Sequence, residues 1–317
     1  MANILITGGA GFIGSNLAKS LDRDGHTVTI FDSFYYGSAK QIPNLGDKLR
    51  HNAFKIDVRN DSTKVEFELE RNPPEYIFHL AALSSAPQCT QAPKDAMQVN
   101  VNGFQNILEA AWYYRVKKVV YASTSSLYNG LQLPWNESMC VSPKSYYEAS
   151  FHNRECLAYS YYHEVGVKST GLRFFSVYGP NELHKGKYAN NITQFLWDLN
   201  ANRSPVIYGD GKQTRDFVHV DDVVSALKLA AFSDHKLLDC NIVNVGRGVN
   251  ASFNAIIKTL NERLGKDIRP TYLSNPIPNY VYNTKADISK AKHLLRWEPK
   301  ISLSDGIDKQ IQAYAPN

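Results

Sequence analysis

A glycine-rich turn near the N-terminus constrains the fold more than any other feature of the chain. Asn3–Thr7 is a short, mainly apolar run, typical of a buried parallel strand, and Gly8–Gly14 follows with the spacing G-x-x-G-x-x-G. A helix is predicted next, through Leu17–Leu21. Because Gly8 and Gly11 lack side chains, the backbone can turn tightly and approach a pyrophosphate, which the free N–H groups at the helix start would bind. Strand, glycine turn and helix in this order predict a dinucleotide-binding fold.

A carboxylate ends the second predicted strand, which runs from His26 to Asp32. At that position Asp32 can accept hydrogen bonds from both hydroxyls of an adenosine ribose, and it would repel a 2′-phosphate. The next three residues, 33–35, include no cation that could hold such a phosphate. The sequence therefore predicts NAD rather than NADP as the cofactor. Asp57, at the end of the third predicted strand, is a candidate contact to the adenine amine, or else a solvated carboxylate.

Strand-like and helical segments alternate through the first half of the chain, which indicates βαβ units and a parallel sheet. The further strands are predicted at Phe54–Asp57, Tyr76–Leu80, Val119–Ser123 and Lys168–Phe175, and the long helices at Val99–Tyr114 and Tyr147–Tyr162. We therefore expect an α/β fold with a doubly wound parallel sheet (Rossmann type) and a smaller C-terminal α/β substrate-binding lobe. The expected cofactor domain is 1–175, with 216–247 returning to it, and the expected lobe is 176–215 with 248–317.

Composition excludes several classes of protein. The 317 residues are 43% hydrophobic and 21% charged, which suits a globular chain and not a disordered or fibrous one. The net charge of +5 comes from basic residues interleaved with 30 carboxylates, so we expect anionic small molecules and no nucleic acid as partners. No apolar stretch is long enough for a bilayer, and the four cysteines form no C-x-x-C pair, which argues against a metal site or disulfides. A cytoplasmic protein without a membrane partner is expected.

Motifs distributed over essentially the whole chain resemble those of one family. They are Thr7–Gly14, His79–Ala82, Asn100 with Gly103, Ser123-Thr124 before Leu127-Tyr128, Pro143–Glu155, Leu172–Pro180, Arg215–Val223 and Ala286–Ala291. Together they are similar to the extended short-chain dehydrogenases/reductases, specifically the NAD-dependent nucleotide-sugar epimerases and dehydratases that resemble UDP-glucose 4-epimerase. The resemblance implies bound NAD, a nucleotide-sugar substrate and a homo-oligomer, commonly a dimer.

The resemblance implies that Thr124 and Tyr147 carry the chemistry. In the family a tyrosine, as phenolate, removes a proton from a sugar hydroxyl while a hydride passes to the nicotinamide, and a Ser or Thr hydroxyl bonds the same oxygen. The family also has a lysine four residues after the tyrosine, but this chain has Phe151 there. Ionising a tyrosine with an ordinary pKa near 10 costs about 4 kcal/mol at pH 7. An ammonium about 4 Å away would offset a similar amount at an effective dielectric near 20, and Phe151 cannot.

A second acid/base candidate is Lys185, in the segment His184-Lys185-Gly186. This segment is similar to one in the nucleotide-heptose 6-epimerases, where a lysine in that loop acts as the second acid/base. A solvated loop lysine is the alternative. Ser125 and Ser126 stand where the family's 4,6-dehydratases have an Asp-Glu pair, so dehydration is not expected.

The remaining site residues are also implied by the resemblance. Arg215 would hold the substrate diphosphate, for which a guanidinium fork is suited, unless it forms an ion pair with Asp216 or Asp221. The expected cofactor contacts are Gly8, Gly11, Phe12, Ile13, Gly14, Asp32, Ser33, Asp57, Val58, Leu80, Ala81, Ala82, Asn100 and Tyr147. The expected substrate contacts are Ser84, Thr124, Ser125, Ser176, Asn181, Asn191, Arg215 and Asp287.

Four functions stay open from the sequence. The leading hypothesis is an NAD-dependent nucleotide-sugar 4-epimerase that forms a transient 4-keto sugar. The others are a heptose-type 6-epimerase using Tyr147 and Lys185, a nucleotide-sugar dehydrogenase that retains NADH, and a non-catalytic NAD-binding protein. The non-catalytic hypothesis is motivated by Phe151, and the retention of both Thr124 and Tyr147 weighs against it.

Overall fold

A computed structural model describes residues 1–35, 46–59, 69–276 and 279–315. The strands are β1 (Asn3–Thr7), β2 (Thr27–Asp32), β3 (Ala53–Lys55), β4 (Tyr76–His79), β5 (Lys118–Thr124), β6 (Ser169–Phe174), β7 (Ser176–Tyr178), β8 (Val206–Tyr208), β9 (Thr214–Arg215), β10 (Phe217–His219), β11 (Cys240–Val245), β12 (Ala251–Ser252) and β13 (Thr271–Leu273). The α-helices are α1 (Phe12–Arg23), α2 (Asp47–His51), α3 (Ala86–Gln91), α4 (Pro93–Met97), α5 (Gly103–Tyr113), α6 (Tyr146–Val165), α7 (Asn191–Asn200), α8 (Val220–Phe232), α9 (Phe253–Leu264) and α10 (Leu303–Ala313).

Seven parallel strands form the central sheet, in the order β11-β6-β5-β4-β1-β2-β3. The chain runs outward from β1 to β2 and β3, and then returns to build β4, β5, β6 and β11 on the other side of β1. The strand order therefore reverses between β1 and β4, which is the point where ligands bind in open α/β sheets. Thr7, His79 and Thr124 all lie at the carboxyl edge of this sheet, because the strands that end with them are parallel. The predicted doubly wound α/β fold is confirmed.

Helices cover both faces of the sheet, and β1 shows why. Ile4 and Ile6 point to one face, where they join a core with Leu17 of α1 and Val223 of α8. Leu5 points to the opposite face, where its core includes residues of α5 and α6. Because successive side chains of a strand alternate between faces, a strand with apolar side chains on both faces needs a helical layer on each side.

Helix α6 brings Tyr147 to the carboxyl edge of the sheet. Its N-cap is Ser145, whose side-chain oxygen accepts a hydrogen bond from the amide of Glu148 at 3.2 Å. The helix ends at Gly166, which has a left-handed φ of 77°. These two caps extend the helix beyond the predicted Tyr147–Tyr162 at both ends and place Tyr147 in its first turn.

The second half of the chain has a core of its own. Side chains of α7, α9 and α10 pack around Tyr178 and Phe217, which belong to the paired strands β7 and β10. Strand β11 lies within the central sheet beside β6. Among the described residues, no helix combines the length and apolarity that crossing a bilayer requires.

Candidate active site

A cavity of about 990 Å³ lies at the carboxyl edge of the central sheet. The predicted site residues that line it are Gly8, Gly11, Phe12, Ile13, Gly14, Asp32, Ser33, Asp57, Val58, Leu80, Ala81, Ala82, Ser84, Thr124, Ser125, Tyr147, Ser176, Lys185 and Arg215. The structure therefore brings the glycine turn, the hydroxyls of Thr124 and Tyr147 and the cations Lys185 and Arg215 into one cavity.

The glycine turn fits a pyrophosphate. Gly8 has a φ of +69°, and a Cβ there would lie 2.7 Å from the amide nitrogen of Ala81, so only glycine is accommodated. A Cβ on Gly14 would collide with the carbonyl oxygen of Gly8. Gly11 caps α1 without a side-chain hydrogen bond, which leaves amides of the first turn available to an anion.

Asp32 is held at the rim of the cavity, beside the glycine turn. Its carboxylate accepts hydrogen bonds from the amides of Ala10 at 3.1 Å and Phe34 at 2.8 Å. These bonds fix the carboxylate at the end of β2, where it can accept from the hydroxyls of an adenosine ribose.

Asp57 forms a contact that sequence reasoning missed. The guanidinium of Arg59 lies 2.7 Å from its carboxylate, and both side chains line the cavity. Desolvation would raise the pKa of Asp57, but the hydrogen bonds from Arg59 hold it below its ordinary value. The Asp57 carboxylate is therefore ionised and already engaged, and its contact to adenine stays a prediction.

Tyr147 and Thr124 form a hydrogen-bonded pair in the cavity. The hydroxyl of Tyr147 donates to Oγ1 of Thr124 at 3.1 Å, and the same oxygen accepts from the amide of Ser126 at 3.2 Å. Burial raises the pKa of Tyr147 to about 12, against the opposing effect of the Thr124 hydroxyl. A nearby positive charge is therefore needed before the phenolate can form near neutral pH.

Phe151 lies beside Tyr147, at the position where the resembling family has a lysine. Its ring is 2% exposed and packs against the ring of Tyr147, with the centroids 4.9 Å apart and the planes at 60°. The guanidinium of Arg154 also lies against the ring of Phe151, with its central carbon 4.8 Å from the ring centroid. Sequence reasoning missed Arg154, although its position seven residues after Tyr147 places the two on one helix face.

Arg154 is fully buried beneath the cavity. It donates to three backbone carbonyls, those of Asn100 at 3.0 Å, Ala122 at 3.1 Å and Ala81 at 3.2 Å. No carboxylate among the described residues pairs with it. Burial lowers the pKa of the Arg154 guanidinium, but the group stays protonated, because arginine keeps its charge in proteins.

Lys185 is fixed on the cavity wall. Its ammonium lies 3.2 Å from the carboxylate of Glu182 and 5.0 Å from the ring centroid of Phe12, the first residue of α1. The structure therefore does not support the alternative of a freely solvated loop lysine. His184 lines the same cavity, and burial lowers its pKa.

Glu182 connects this wall to two distant segments. Its fully buried carboxylate also accepts from Oγ1 of Thr193 at 2.6 Å and from the amide of Asn190 at 2.7 Å. Its own amide donates to the hydroxyl of Tyr314 at 2.8 Å, directly after α10. Sequence reasoning missed Glu182, because a carboxylate in a loop gives no sign of burial.

Arg215 is not paired with either neighbouring carboxylate, so the predicted alternative of an ion pair is wrong. Asp216 is buried and accepts from the amides of Arg247, Gly248 and Ala286 at 2.6, 2.8 and 2.9 Å. Asp221 pairs with Lys309 at 3.1 Å.

The guanidinium of Arg215 lies instead between two rings. Its central carbon is 5.1 Å from the ring centroid of Tyr280 and 5.4 Å from that of Phe253. One nitrogen donates to the carbonyls of Thr214 and Tyr282, both at 2.9 Å, and burial lowers the pKa. Arg215 faces the cavity and has no carboxylate partner in the described ranges, so it suits an anionic ligand.

Four predicted site residues lie outside the lining of this cavity. Asn100 is buried, and its amide group bonds both backbone groups of Leu83 and the hydroxyl of Ser150, so it positions the loop after β4. Asn191 begins α7, whose N-cap is its neighbour Asn190. Asn181 contacts Asn16 of α1 at 3.4 Å, and Asp287 accepts from the amide of Ser289 at 2.9 Å.

Comparisons with known proteins agree with this site. Residues 4–246 match the family described as "NAD dependent epimerase/dehydratase family". The chain is 34% identical to the UDP-glucuronate 4-epimerase of Thermodesulfobacterium geofontis, over 98% of this chain and 95% of the relative. It is similar to UDP-glucose 4-epimerase of Thermotoga maritima solved with UDP-glucose, with a TM-score of 0.91, 32% identity and 98% of each chain covered.

A further similar structure contains the cofactor. It is the UDP-glucuronic acid 4-epimerase of Bacillus cereus in complex with UDP-glucuronic acid and NAD, with a TM-score of 0.87, 29% identity, and coverage of 98% of this chain and 100% of that one. The glycine turn and Asp32 fit the same group, so the cofactor is NAD. The fold, the site and the match over most of the chain together place this protein in the NAD-dependent epimerase/dehydratase family.

Proposed function

We propose that this protein is a nucleotide-sugar 4-epimerase that acts through a transient 4-keto sugar. The observation that carries the proposal is the 3.1 Å hydrogen bond between Tyr147 and Thr124 inside the cavity that also holds the glycine turn. A hydroxyl pair of this kind can bind one sugar hydroxyl and move its proton. Retention of both groups favours a catalytic function over NAD binding alone.

NAD, when bound, supplies a hydride acceptor and donor for the sugar carbon. Thr124 holds the reacting sugar hydroxyl and Tyr147, as phenolate, takes its proton, so that loss of the carbon-bound hydride leaves a ketone. In the return step Tyr147 gives the proton back to the carbonyl oxygen as the hydride is restored to the opposite face of the carbon. The overall change is inversion at C4 without net oxidation.

The substrate class we propose is a UDP-sugar, because the similar proteins named above act on or bind UDP-sugars. Arg215 would bind the diphosphate through N–H groups of its guanidinium, which no carboxylate of the described residues engages. The division we propose assigns 1–175 with 216–247 to the cofactor and 176–215 with 248–317 to the substrate.

A second candidate is a 6-epimerase in which Lys185 is the partner of Tyr147. The favouring observation is that Lys185 lines the same cavity and is held there by Glu182 at 3.2 Å. The two candidates differ in one result: Lys185→Ala should leave a 4-epimerase largely active and should abolish a 6-epimerase.

The test is to incubate the NAD-loaded protein with UDP-glucose, UDP-glucuronate, UDP-N-acetylglucosamine and an ADP-heptose, and to follow each sugar by proton NMR and the nicotinamide by absorbance. Inversion at C4 that is lost in Tyr147→Phe supports the proposal. Inversion at C6, net NADH with a released ketone, or loss of carbon dioxide would each replace it with another reaction. A cofactor that never changes redox state with any of these sugars would favour the non-catalytic hypothesis.

A further inference from the structure

We propose that Arg154 is a positioning residue of this site, whose buried positive charge stabilises the phenolate of Tyr147 across the ring of Phe151. The inference rests on the proposed function, in which Tyr147 accepts a proton. Arg154 does not line the cavity described above, so it would act through Phe151 and never touch the substrate.

The three side chains form a stack along one face of α6. Positions 147, 151 and 154 are spaced by four and three residues, so successive side chains meet on the helix surface. The ring of Phe151 lies 4.9 Å from the ring of Tyr147, and the Arg154 guanidinium lies 4.8 Å from the ring of Phe151. Phe151 is 2% exposed, so the space between phenol and guanidinium contains a hydrocarbon ring rather than bulk water.

The charge of Arg154 is not neutralised locally, although a carboxylate is next to it in the sequence. Glu155 turns the other way and pairs with Arg173 of β6 at 2.6 Å, in a buried bidentate ion pair. Within the described part of the chain Arg154 has only carbonyl acceptors, and these hold the guanidinium in place without cancelling its charge. A buried cation is costly when, as among the residues described here, no carboxylate pairs with it, and an electrostatic role at the adjacent site gives a reason for its presence.

Few other charged groups of the described residues act on Tyr147. The titratable groups that face Tyr147 or Arg154 from the surrounding elements are Cys89 of α3, Glu148 of α6, His79 of β4 and Tyr121 of β5. Burial raises the pKa of Cys89 to about 11, lowers that of His79 well below its ordinary value and raises that of Tyr121, so all three are neutral at pH 7. Glu148 opposes the phenolate, which leaves Arg154 as the favourable charge in this group.

The expected size of the effect is measurable. The two ring contacts limit the distance from the Tyr147 ring centre to the guanidinium to about 10 Å. At an effective dielectric near 20, a charge at that distance shifts the pKa of Tyr147 by roughly one unit. That is about a tenfold change in the phenolate fraction at neutral pH.

The test is a titration of Tyr147 in the NAD-loaded protein by NMR with tyrosine labelled at the ring carbon that bears the hydroxyl, and Tyr147→Phe assigns the signal. Arg154→Gln keeps hydrogen-bond donors but removes the charge, and Arg154→Lys keeps the charge. We expect the pKa of Tyr147 to rise by about one unit in Arg154→Gln and to move by less than half as much in Arg154→Lys. Lys144→Gln, which removes an exposed cation three residues from Tyr147, is the control and should leave the pKa unchanged.

An unchanged Tyr147 pKa in an Arg154→Gln protein that still binds NAD would overturn the inference and leave Arg154 a purely structural role. If Arg154→Gln does not fold, Arg154→Met removes the charge without leaving a buried polar group unpaired, and it should raise the pKa of Tyr147 by the same amount. An unchanged Tyr147 pKa in a folded Arg154→Met protein would equally overturn it. The titration needs no substrate, so it tests the role of Arg154 alone. A failure of the proposed epimerisation would appear only in the incubations with nucleotide sugars.

Discussion

The hydroxyl of Tyr147, in the first turn of α6, donates to Oγ1 of Thr124, the last residue of β5, across 3.1 Å. This bond joins a helix start to the carboxyl edge of the sheet and defines the point at which a sugar hydroxyl would be held. Ser145 and Thr124 each cap the turn that follows them, so both ends of the contact are fixed by local backbone bonds.

Replacing Tyr147 by Phe should lower kcat by about 10²–10⁴-fold, because the variant keeps the ring packing on Phe151 and loses the proton acceptor. NAD affinity, measured by calorimetry, should change little. Thr124→Val should also lower kcat, while Thr124→Ser, which keeps the hydroxyl, should retain most of the activity. A Tyr147→Phe protein with wild-type turnover would show that the proton is transferred elsewhere.

The rate of sugar oxidation should rise with pH. Burial raises the pKa of Tyr147 to about 12, and the phenolate rather than the phenol accepts the proton, so the active fraction grows about tenfold per unit below the apparent pKa. Rapid-mixing measurements of nicotinamide reduction between pH 6 and 9 would show this slope. The residual rate of Tyr147→Phe should lack it, and an equal slope in that variant would assign the titration to another group.

Asp32→Ala should weaken NAD binding by about 10–100-fold, corresponding to the roughly 1.5–3 kcal/mol of hydrogen bonds to a charged group. Asp57→Asn should have a smaller effect, because the Asp57 carboxylate is already bound by Arg59 at 2.7 Å. Calorimetric titration of the cofactor-free proteins compares the two. A larger loss in Asp57→Asn would place the adenosine differently from the prediction.

Gly8→Ala should abolish NAD retention and destabilise the fold, since Gly8 has a φ of +69° and an added Cβ would lie 2.7 Å from the Ala81 amide nitrogen. Gly25→Ala is the matched control, because Gly25 also has a positive φ, +85°, but a Cβ added there would meet nothing within 4 Å. Thermal unfolding should show a cost in both variants. Loss of the cofactor should appear only in Gly8→Ala.

Arg215→Met should raise the KM for the nucleotide sugar by about 10–100-fold, through loss of charged hydrogen bonds to the diphosphate, with a smaller effect on kcat. The exposed Arg203, which pairs with Asp198 at 2.9 Å, offers a control in Arg203→Met. An unchanged KM in Arg215→Met would leave Arg215 with a packing role between Tyr280 and Phe253.

The parts of the site that depend on local backbone conformation could be predicted from the sequence. The glycine turn and Asp32 follow from their positions after two strands, and parallel strands then bring Thr124 to the same edge. Strand and helix bounds differ from the predictions by a few residues at most, because caps such as Ser145 and Gly166 decide where an element ends.

The sequence could not show which polar groups meet across the fold. Lys185 and Glu182 are three residues apart, but nothing local indicates that the carboxylate is buried. Asn100 was predicted at the cofactor, whereas its amide lies in the interior and holds Leu83 and Ser150. Arg154 was missed because a basic residue in a helix usually faces solvent, and only the packed structure reveals that this one is buried.

The bonds around Glu182 make the last helix a support of the cavity wall that Lys185 lines, although the helix itself does not line the cavity. Gln310 of α10 donates to Oγ1 of Thr193, which in turn donates to Glu182, and Tyr314 accepts from the Glu182 amide. Glu182 is also the group that holds Lys185 at the cavity. Substitutions near residue 310 would therefore shift Lys185 from far along the sequence, and a search for variants that sampled only the cavity lining would overlook them.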